Sequence, residues 1–395
     1  MILRKTITFV LSLMVGLLML SGCVEEYEAD ISTEDSNLLV IEGTICSAKL
    51  NKIILSHTIA INSTAKPKME KNASVSVRGS DGSEYKMQNN KNGYYTYQMG
   101  ELNPDVDYYL HIECDGEVYE SEPQKPLRTE KIADVRGIQT TSESNIDVLV
   151  TPVDPFETDK VNYYSWTYDE TWLVYPDFKT SIYYDMELNA PVKKLNQFPD
   201  FGWKDATSSV AIVGTSTGYD NNHIQNLKMY EIDCSNERLY HRYSCLVHQR
   251  AISKAEYEYE LARRQASEEM GGLFTPLPSA LPTNIRCLTS QKHVIGYVGC
   301  ALNTSEYRFF LDSKDFSIYR PSIKDLRTWV ENPTTDVCRR MVRNGYYLCE
   351  WEDPFKSPDG VLRTAWATEK LLDVRSDGAY IEEPDFWSLD GNVSY

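Results

Sequence analysis

Hydrophobic and polar positions alternate over short runs through the first third of the chain. The runs LLVIEGTI, KIILSHT, ASVSVRG, SEYKMQ, GYYTYQM, DYYLHIEC and EVYESEP are separated by turn residues such as Ser80-Asp81-Gly82-Ser83 and Asp115-Gly116. A period of two bounded by turns predicts β-strands. Their number and spacing predict an N-terminal β-sandwich, immunoglobulin-like or transthyretin-like, over residues 37–130. In DYYLHIEC, Tyr108, Leu110, Ile112 and Cys114 share one face, which turns Cys114 toward the core.

The strand pattern pauses around Pro126 to Glu130, and a larger β-rich domain is expected over 131–395. It opens with IDVLVTPV and NYYSWTYDETWLVY, in which Tyr164, Trp166 and Tyr168 lie on one face with Trp172 in phase. A Pro, Asp and Asn-rich stretch from Pro176 to Asp205 reads as loop-rich. A helix over 254–270 carries a capping box, Ser253 with Glu256, an i,i+4 pair, Glu260 with Arg264, and a Gly271-Gly272 stop. A smaller helix signal lies at Ser322 to Glu331. The expected class is therefore mainly β with one or two short helices.

The apolar run at the N-terminus follows neither pattern. It extends from Ile7 to Leu20 behind Arg4 and Lys5, is broken by Thr8, Ser12 and Gly16, and ends in small residues. It is shorter than the roughly 20 apolar residues of a membrane span and reads as a signal peptide over 1–22. Leu20-Ser21-Gly22-Cys23 resembles the bacterial lipobox, which implies cleavage before Cys23 and lipidation of that residue, the chain's link to the membrane. The acidic, polar stretch over 23–36 reads as a solvated tether.

Charge narrows the partners. Without Arg4 and Lys5 the mature chain holds 38 basic against 58 acidic residues, a net charge of −20, which disfavours nucleic acid.

Beyond Cys23 the cysteines are Cys46, Cys114, Cys234, Cys245, Cys287, Cys300, Cys338 and Cys349, an even number that predicts disulfides in an exported chain. Cys46 and Cys114, alone in the first third, are expected to pair, and the connectivity of the other six stays open. No C-x-x-C or H-x-x-x-H spacing is present, so neither metal nor cofactor is expected. Gly214-Thr215-Ser216-Thr217-Gly218 matches G-x-S-x-G, yet turn residues rather than a helix follow it, and Ser216 reads as a turn residue. Aromatic residues are abundant: 27 Tyr, 7 Trp and 11 Phe. Trp166, Trp172, Tyr175, Phe386 and Trp387 are the candidate binding aromatics, although alternation within a strand suits a core equally well.

Taken in order, the lipobox, LLVIEGTI, NGYYTYQMGELNPDVDYYLHIECDGEVYES, NYYSWTYDETW, ISKAEYEYELARRQASEEMGGLFTPLPSALPTNIRC, VIGYVGC and LLDVRSDGAYIEEPDFW resemble a Bacteroidota outer-membrane lipoprotein family, a domain of unknown function commonly found beside TonB-dependent transporters. The resemblance implies a lipid-anchored location at the outer membrane, facing the cell exterior, and a TonB-dependent transporter as partner. It supplies no catalytic residues. The expected function is non-enzymatic binding in nutrient uptake. The alternatives are a surface glycan or peptide hydrolase, and an adhesin or envelope scaffold.

Overall fold

The computed structural model describes residues 37–59, 66–155, 159–195, 197–208, 210–268, 281–320, 325–352, 355 and 359–387. The signal peptide, Cys23, the tether and the Gly271-Gly272 stop lie outside the described residues.

The first third of the chain folds into β1 (Leu39–Cys46), β2 (Leu50–His57), β3 (Lys68–Met69), β4 (Ser74–Gly79), β5 (Glu84–Lys86), β6 (Gln88–Asn89), β7 (Tyr94–Gln98), β8 (Tyr108–Cys114) and β9 (Glu117–Ser121). The middle third gives β10 (Ile132–Gln139), β11 (Ile146–Pro152), β12 (Tyr163–Val174), β13 (Ile182–Asp185), β14 (Ala190–Lys193), β15 (Gly202–Thr207), β16 (Ile212–Thr215), β17 (Leu227–Ile232), β18 (Arg242–Ala251) and α1 (Lys254–Glu268). The remainder holds β19 (Ile285–Cys287), β20 (Val294–Ala301), β21 (Ser305–Asp312), β22 (Thr328–Glu331), α2 (Thr335–Arg343), β23 (Tyr346–Glu352), β24 (Arg363–Thr368) and α3 (Glu369–Leu372). The fold is mainly β, as the alternating pattern predicts.

Two sheets form the first sandwich. One runs β20-β1-β2-β7-β6 with β3 on β2, and the other runs β19-β9-β8-β4-β5. Their inner faces meet in a core that includes Ile41, Ile53, Leu55, Tyr95, Leu110, Ile112 and Cys114. Residues 37–130 do not build this sandwich alone. β20 pairs with β1 in parallel from Leu39↔Val294 to Cys46↔Ala301, and β19 pairs with β9. A parallel neighbour needs a crossover rather than a hairpin, so local patterning around 130 cannot register it. Close approach of the two strands requires Gly296: its φ is +138°, and a Cβ there would lie 2.1 Å from the Ile41 carbonyl oxygen.

The second sandwich stacks β10-β11-β17 on β15-β12-β18-β21, with β16 also paired to β12. Trp166, Tyr243 and Cys245 are fully buried between these sheets, with Ile146, Val148 and Val150 opposite. A smaller unit follows. Its sheet β22-β24-β23 packs with the β13-β14 hairpin and α2 around Tyr184, Cys338, Leu348 and Trp366. The hairpin falls within the stretch read as loop.

Helix α1 occupies its predicted place, and Ser253 Oγ accepts from Glu256 N at 3.1 Å. Glu256 does not complete the capping box, because its carboxylate takes Arg250 at 2.6 Å. Glu260 pairs with Arg263 rather than Arg264. The helix signal at Ser322 to Glu331 is overturned over Thr328–Glu331, which form β22. The helix begins after Pro333, where Thr334 accepts from Val337 N.

All eight described cysteines are free thiols, so the expected disulfides are absent among the described residues. Cys46 sits near Arg250, Lys49 and Glu256, whereas Cys114 points into the core beside Glu70. The Cys46–Cys114 pairing therefore fails. Cys338 and Cys349 also belong to different packing clusters, since 335–343 is helical and Asn344 caps it.

Candidate functional site

The site grows from a fault in one sheet edge. β15 pairs with β12 over Asp169–Val174 and β16 over Tyr163–Trp166, both on the side of β12 away from β18. Between them the edge steps aside. Ser208 holds the gap: its N donates to Tyr168 O at 2.8 Å, and its Oγ accepts from Tyr168 N at 2.9 Å. Tyr168 is left half-buried where the core would otherwise close over it.

Across the gap lies β17, the outer strand of the facing sheet. Tyr230 stacks on Tyr168 with ring centroids 4.2 Å apart and planes 17° from parallel. The two rings border an open cleft of about 630 Å³ with Ile212, Val213 and Met229, and Lys228, Glu231 and Arg264 supply its polar groups. Lys228 is held by Asp147 at 2.7 Å and by Glu231 at 2.8 Å. The cleft volume falls in the range of small-molecule sites.

Behind Tyr230 runs a buried polar chain. Its hydroxyl is shared between Tyr243 Oη at 2.9 Å and Cys245 Sγ at 3.3 Å. Tyr243 donates in turn to Glu170 Oε1 at 2.8 Å, and Arg238 reaches both oxygens of Glu170 at 3.0 and 2.9 Å. Burial pushes the Glu170 carboxyl above its ordinary value even though Tyr243 and Arg238 oppose the shift. Burial likewise drives Tyr230 and Tyr243 well up and the Cys245 thiol to about 12. The chain therefore fixes the Tyr230 ring and leaves Cys245 a protonated, unreactive thiol. What the cleft presents is aromatic and apolar contact surface with a charged margin.

The outer face of the same sheet carries a row of charge. Thr207 Oγ1 donates to Asp169 at 2.7 Å, and His248 lies 2.9 Å from Asp169 and 3.4 Å from Glu306. Lys49, in the β1–β2 turn, reaches Glu306 at 3.1 Å and ties the first sandwich to the second. For Asp169, burial would raise the carboxyl, but hydrogen bonds from His248 and Thr207 outweigh it and hold it below its ordinary value. Glu306 behaves alike, with Lys49 and His248 outweighing burial.

The candidate aromatics divide between the two faces. Trp166 is fully buried, donating to Gln249 Oε1 at 2.8 Å, and Trp172 is buried in the same core. Neither ring is available to a ligand, because the even-numbered face of β12 is the packed one. Tyr175, Phe386 and Trp387 meet on the opposite face around Trp203. Tyr175 packs on Phe201, and Trp387 packs on Trp203 and Phe310. Trp387 is 4% exposed and belongs to that cluster's core, while Tyr175 is 43% exposed. Phe386 is half-buried beneath the Arg308 guanidinium, 3.4 Å from its ring centroid. Ser216 is fully buried, and its Oγ accepts from Asn162 N at 2.8 Å. Sequence reasoning missed Tyr168 and Tyr230 as site residues. The one available signal was that Tyr168 continues the aromatic face of β12 opposite an edge rich in serine.

These features define a sandwich-built β protein with an aromatic cleft at an open sheet edge. The chain belongs to the family described as Domain of unknown function (DUF4249), whose model matches residues 24–307. That span contains the first sandwich with β19 and β20, and every residue of the cleft. No curated protein matches the chain.

Proposed function

We propose that this protein is a lipid-anchored component of the outer membrane, exposed at the cell surface, that acts by binding as an accessory to a TonB-dependent nutrient transporter. The cleft at Tyr168 and Tyr230 carries the binding part of this reading. Two stacked rings, that of Tyr230 fixed from behind by a buried hydrogen-bond chain, offer a rigid platform, and rigid aromatic surface binds at low entropic cost. The anchoring part rests on Leu20-Ser21-Gly22-Cys23 and the acidic stretch after it, which leads into β1 at Leu39. An anchor of this kind raises the effective concentration of the binding body beside a membrane transporter. The Bacteroidota origin and the transporter partnership are carried into this reading as what the family resemblance implies.

The test is affinity purification of the tagged full-length protein from gently solubilised outer membranes, beside a Cys23→Ala control. Recovery of a TonB-dependent transporter with the anchored form alone supports the proposal. Failure to recover one, together with unchanged nutrient uptake in a deletion strain, overturns it.

A further inference from the structure

Two distant stretches meet at one end of the first sandwich and bring together three groups with metal-ligating atoms. Glu70 follows β3, whose pairing to β2 sets Ser56 against Met69 and His57 against Lys68. Cys114 ends β8, and Asp115 opens the two-residue turn into β9. In that turn Asp115 has φ +50° and Gly116 φ +79°, both positive as a tight hairpin of the primed type requires. One Glu70 oxygen, the Cys114 sulfur and one Asp115 oxygen all lie within 4.8 Å of one another. Among the described residues this is the one place where three His, Cys, Asp or Glu side chains converge so closely.

The surroundings suit a bound cation. Glu70 and Cys114 are 5% and 6% exposed, so two of the donors sit out of bulk water. Glu70 is oriented from behind: Asn72 N donates to Oε1 at 2.8 Å, and His57, itself buried, lies 3.3 Å from Oε2. Such outer hydrogen bonds fix the direction of a ligating carboxylate. On the other side a cleft of about 530 Å³ reaches Glu70 and Asp115 from solvent, leaving room for a water or a further ligand. Lys68 and Lys71 border that cleft as exposed side chains. The nearby Lys292 is engaged by Glu117 at 2.8 Å.

We propose that Glu70, Cys114 and Asp115 form a binding site for a divalent transition-metal cation, zinc in particular, with solvent completing the coordination. The donor set selects this class. One sulfur ligand disfavours calcium and magnesium, which take oxygen throughout, and three protein ligands with one open position are a common zinc arrangement. On binding, the Cys114 thiol proton passes to solvent as the sulfur–metal bond forms, with no change of oxidation state.

The experiment uses the full-length chain, purified in detergent and stripped by a chelator, titrated with Zn²⁺ by calorimetry and with Co²⁺ by absorption. The expected result is one zinc per chain at micromolar or tighter affinity, together with a sulfur-to-cobalt charge-transfer band. Asp115→Asn should weaken zinc binding by at least about tenfold, and Cys114→Ser should also abolish the band. D115N is expected to fold normally, because asparagine favours the positive φ of that turn position. Absence of binding by the wild-type chain, or wild-type zinc affinity retained in both D115N and C114S, overturns the proposal.

Discussion

Tyr168 and Tyr230 lie face to face at 4.2 Å although they belong to opposite sheets of the second sandwich. Side chains from facing sheets usually interdigitate in the dry interior. This pair instead meets at the margin, where the edge of β12 is interrupted at Ser208. The stack joins the two sheets at their open side and forms one wall of the cleft.

Its energetic share is measurable in a double-mutant cycle. Tyr168→Ala and Tyr230→Ala should couple by about 0.5–1.5 kcal/mol, the usual worth of an aromatic pair beyond its buried area. Tyr230→Phe keeps the stack and removes one hydroxyl from the buried chain, at an expected cost of about 1 kcal/mol. Urea unfolding of the four forms of the cycle checks the coupling. A value near zero would mean that the stack plays no part in joining the sheets.

Acid should loosen the charged row across β12, β18 and β21. Asp169 and Glu306 are held below their ordinary values of 3.8 and 4.5. As pH falls through these values, the unfolded chain takes up protons before the folded one, so the folded state loses stability until the folded-state values are passed. Both carboxylates are about half exposed, so screening limits the effect to roughly 1 kcal/mol or less. In His248→Gln the decline between about pH 5 and the folded-state values should be shallower. Denaturant midpoints across that interval decide the matter, and identical slopes would remove His248 from the explanation.

Gly296→Ala should be severely destabilising. The new methyl group meets the Ile41 carbonyl at 2.1 Å on backbone, in a conformation that L residues rarely adopt. Strain alone costs about 1–3 kcal/mol, and the β1–β20 pairing must also part. Gly100→Ala, where a Cβ meets nothing within 4 Å, should stay within about 0.5 kcal/mol of wild type. Comparable midpoints for the two variants would contradict the close approach of β1 and β20.

Cysteine labelling should distinguish two thiols in the native state. For Cys287, burial would raise the thiol, but hydrogen bonds from the Ser290 and Thr289 hydroxyls and from their backbone amides outweigh it and hold it below its ordinary value. It is also partly exposed. Cys245 is fully buried and pushed up to about 12. Iodoacetamide at neutral pH, followed by peptide mass spectrometry, should modify Cys287 first and Cys245 only in denaturant. Early labelling of Cys245 would mean that the second core opens readily.

The elements most legible in the sequence are those whose partners lie nearby. The alternation in DYYLHIEC places Tyr108, Leu110, Ile112 and Cys114 inward, and all four are buried in the first core. The face of β12 is equally readable, since Tyr164, Trp166 and Trp172 point into the second core. That packing is also what withdraws Trp166 and Trp172 from the candidate binding residues. What the pattern could not give is whether a ring on the inward face ends under cover or at an edge. That outcome depends on Ser208 breaking the neighbouring strand, a contact between chain segments. VIGYVGC, an apolar run without alternation, carried no sign that β20 would lie beside β1. The convergence of Glu70 with Cys114 and Asp115 was hidden for the same reason: each stretch reads locally as an ordinary turn or strand end.

The parallel seating of β20 against β1 also sets an order in time. A chain made from its N-terminus presents β1 first, yet one edge of β1 stays unpaired until residues 294–301 have been added. Strands β10 to β18 of the second sandwich are made in that interval and lack only β21, which follows β20 directly, whereas the first sandwich waits through all of it with its core open at one side. Pairings so far apart in sequence make for slow closure and a long exposure of strand edge. A nascent chain halted near residue 130 would therefore remain an incomplete, association-prone intermediate. The first strand of the described fold to be synthesised is thus among the last to complete its pairing.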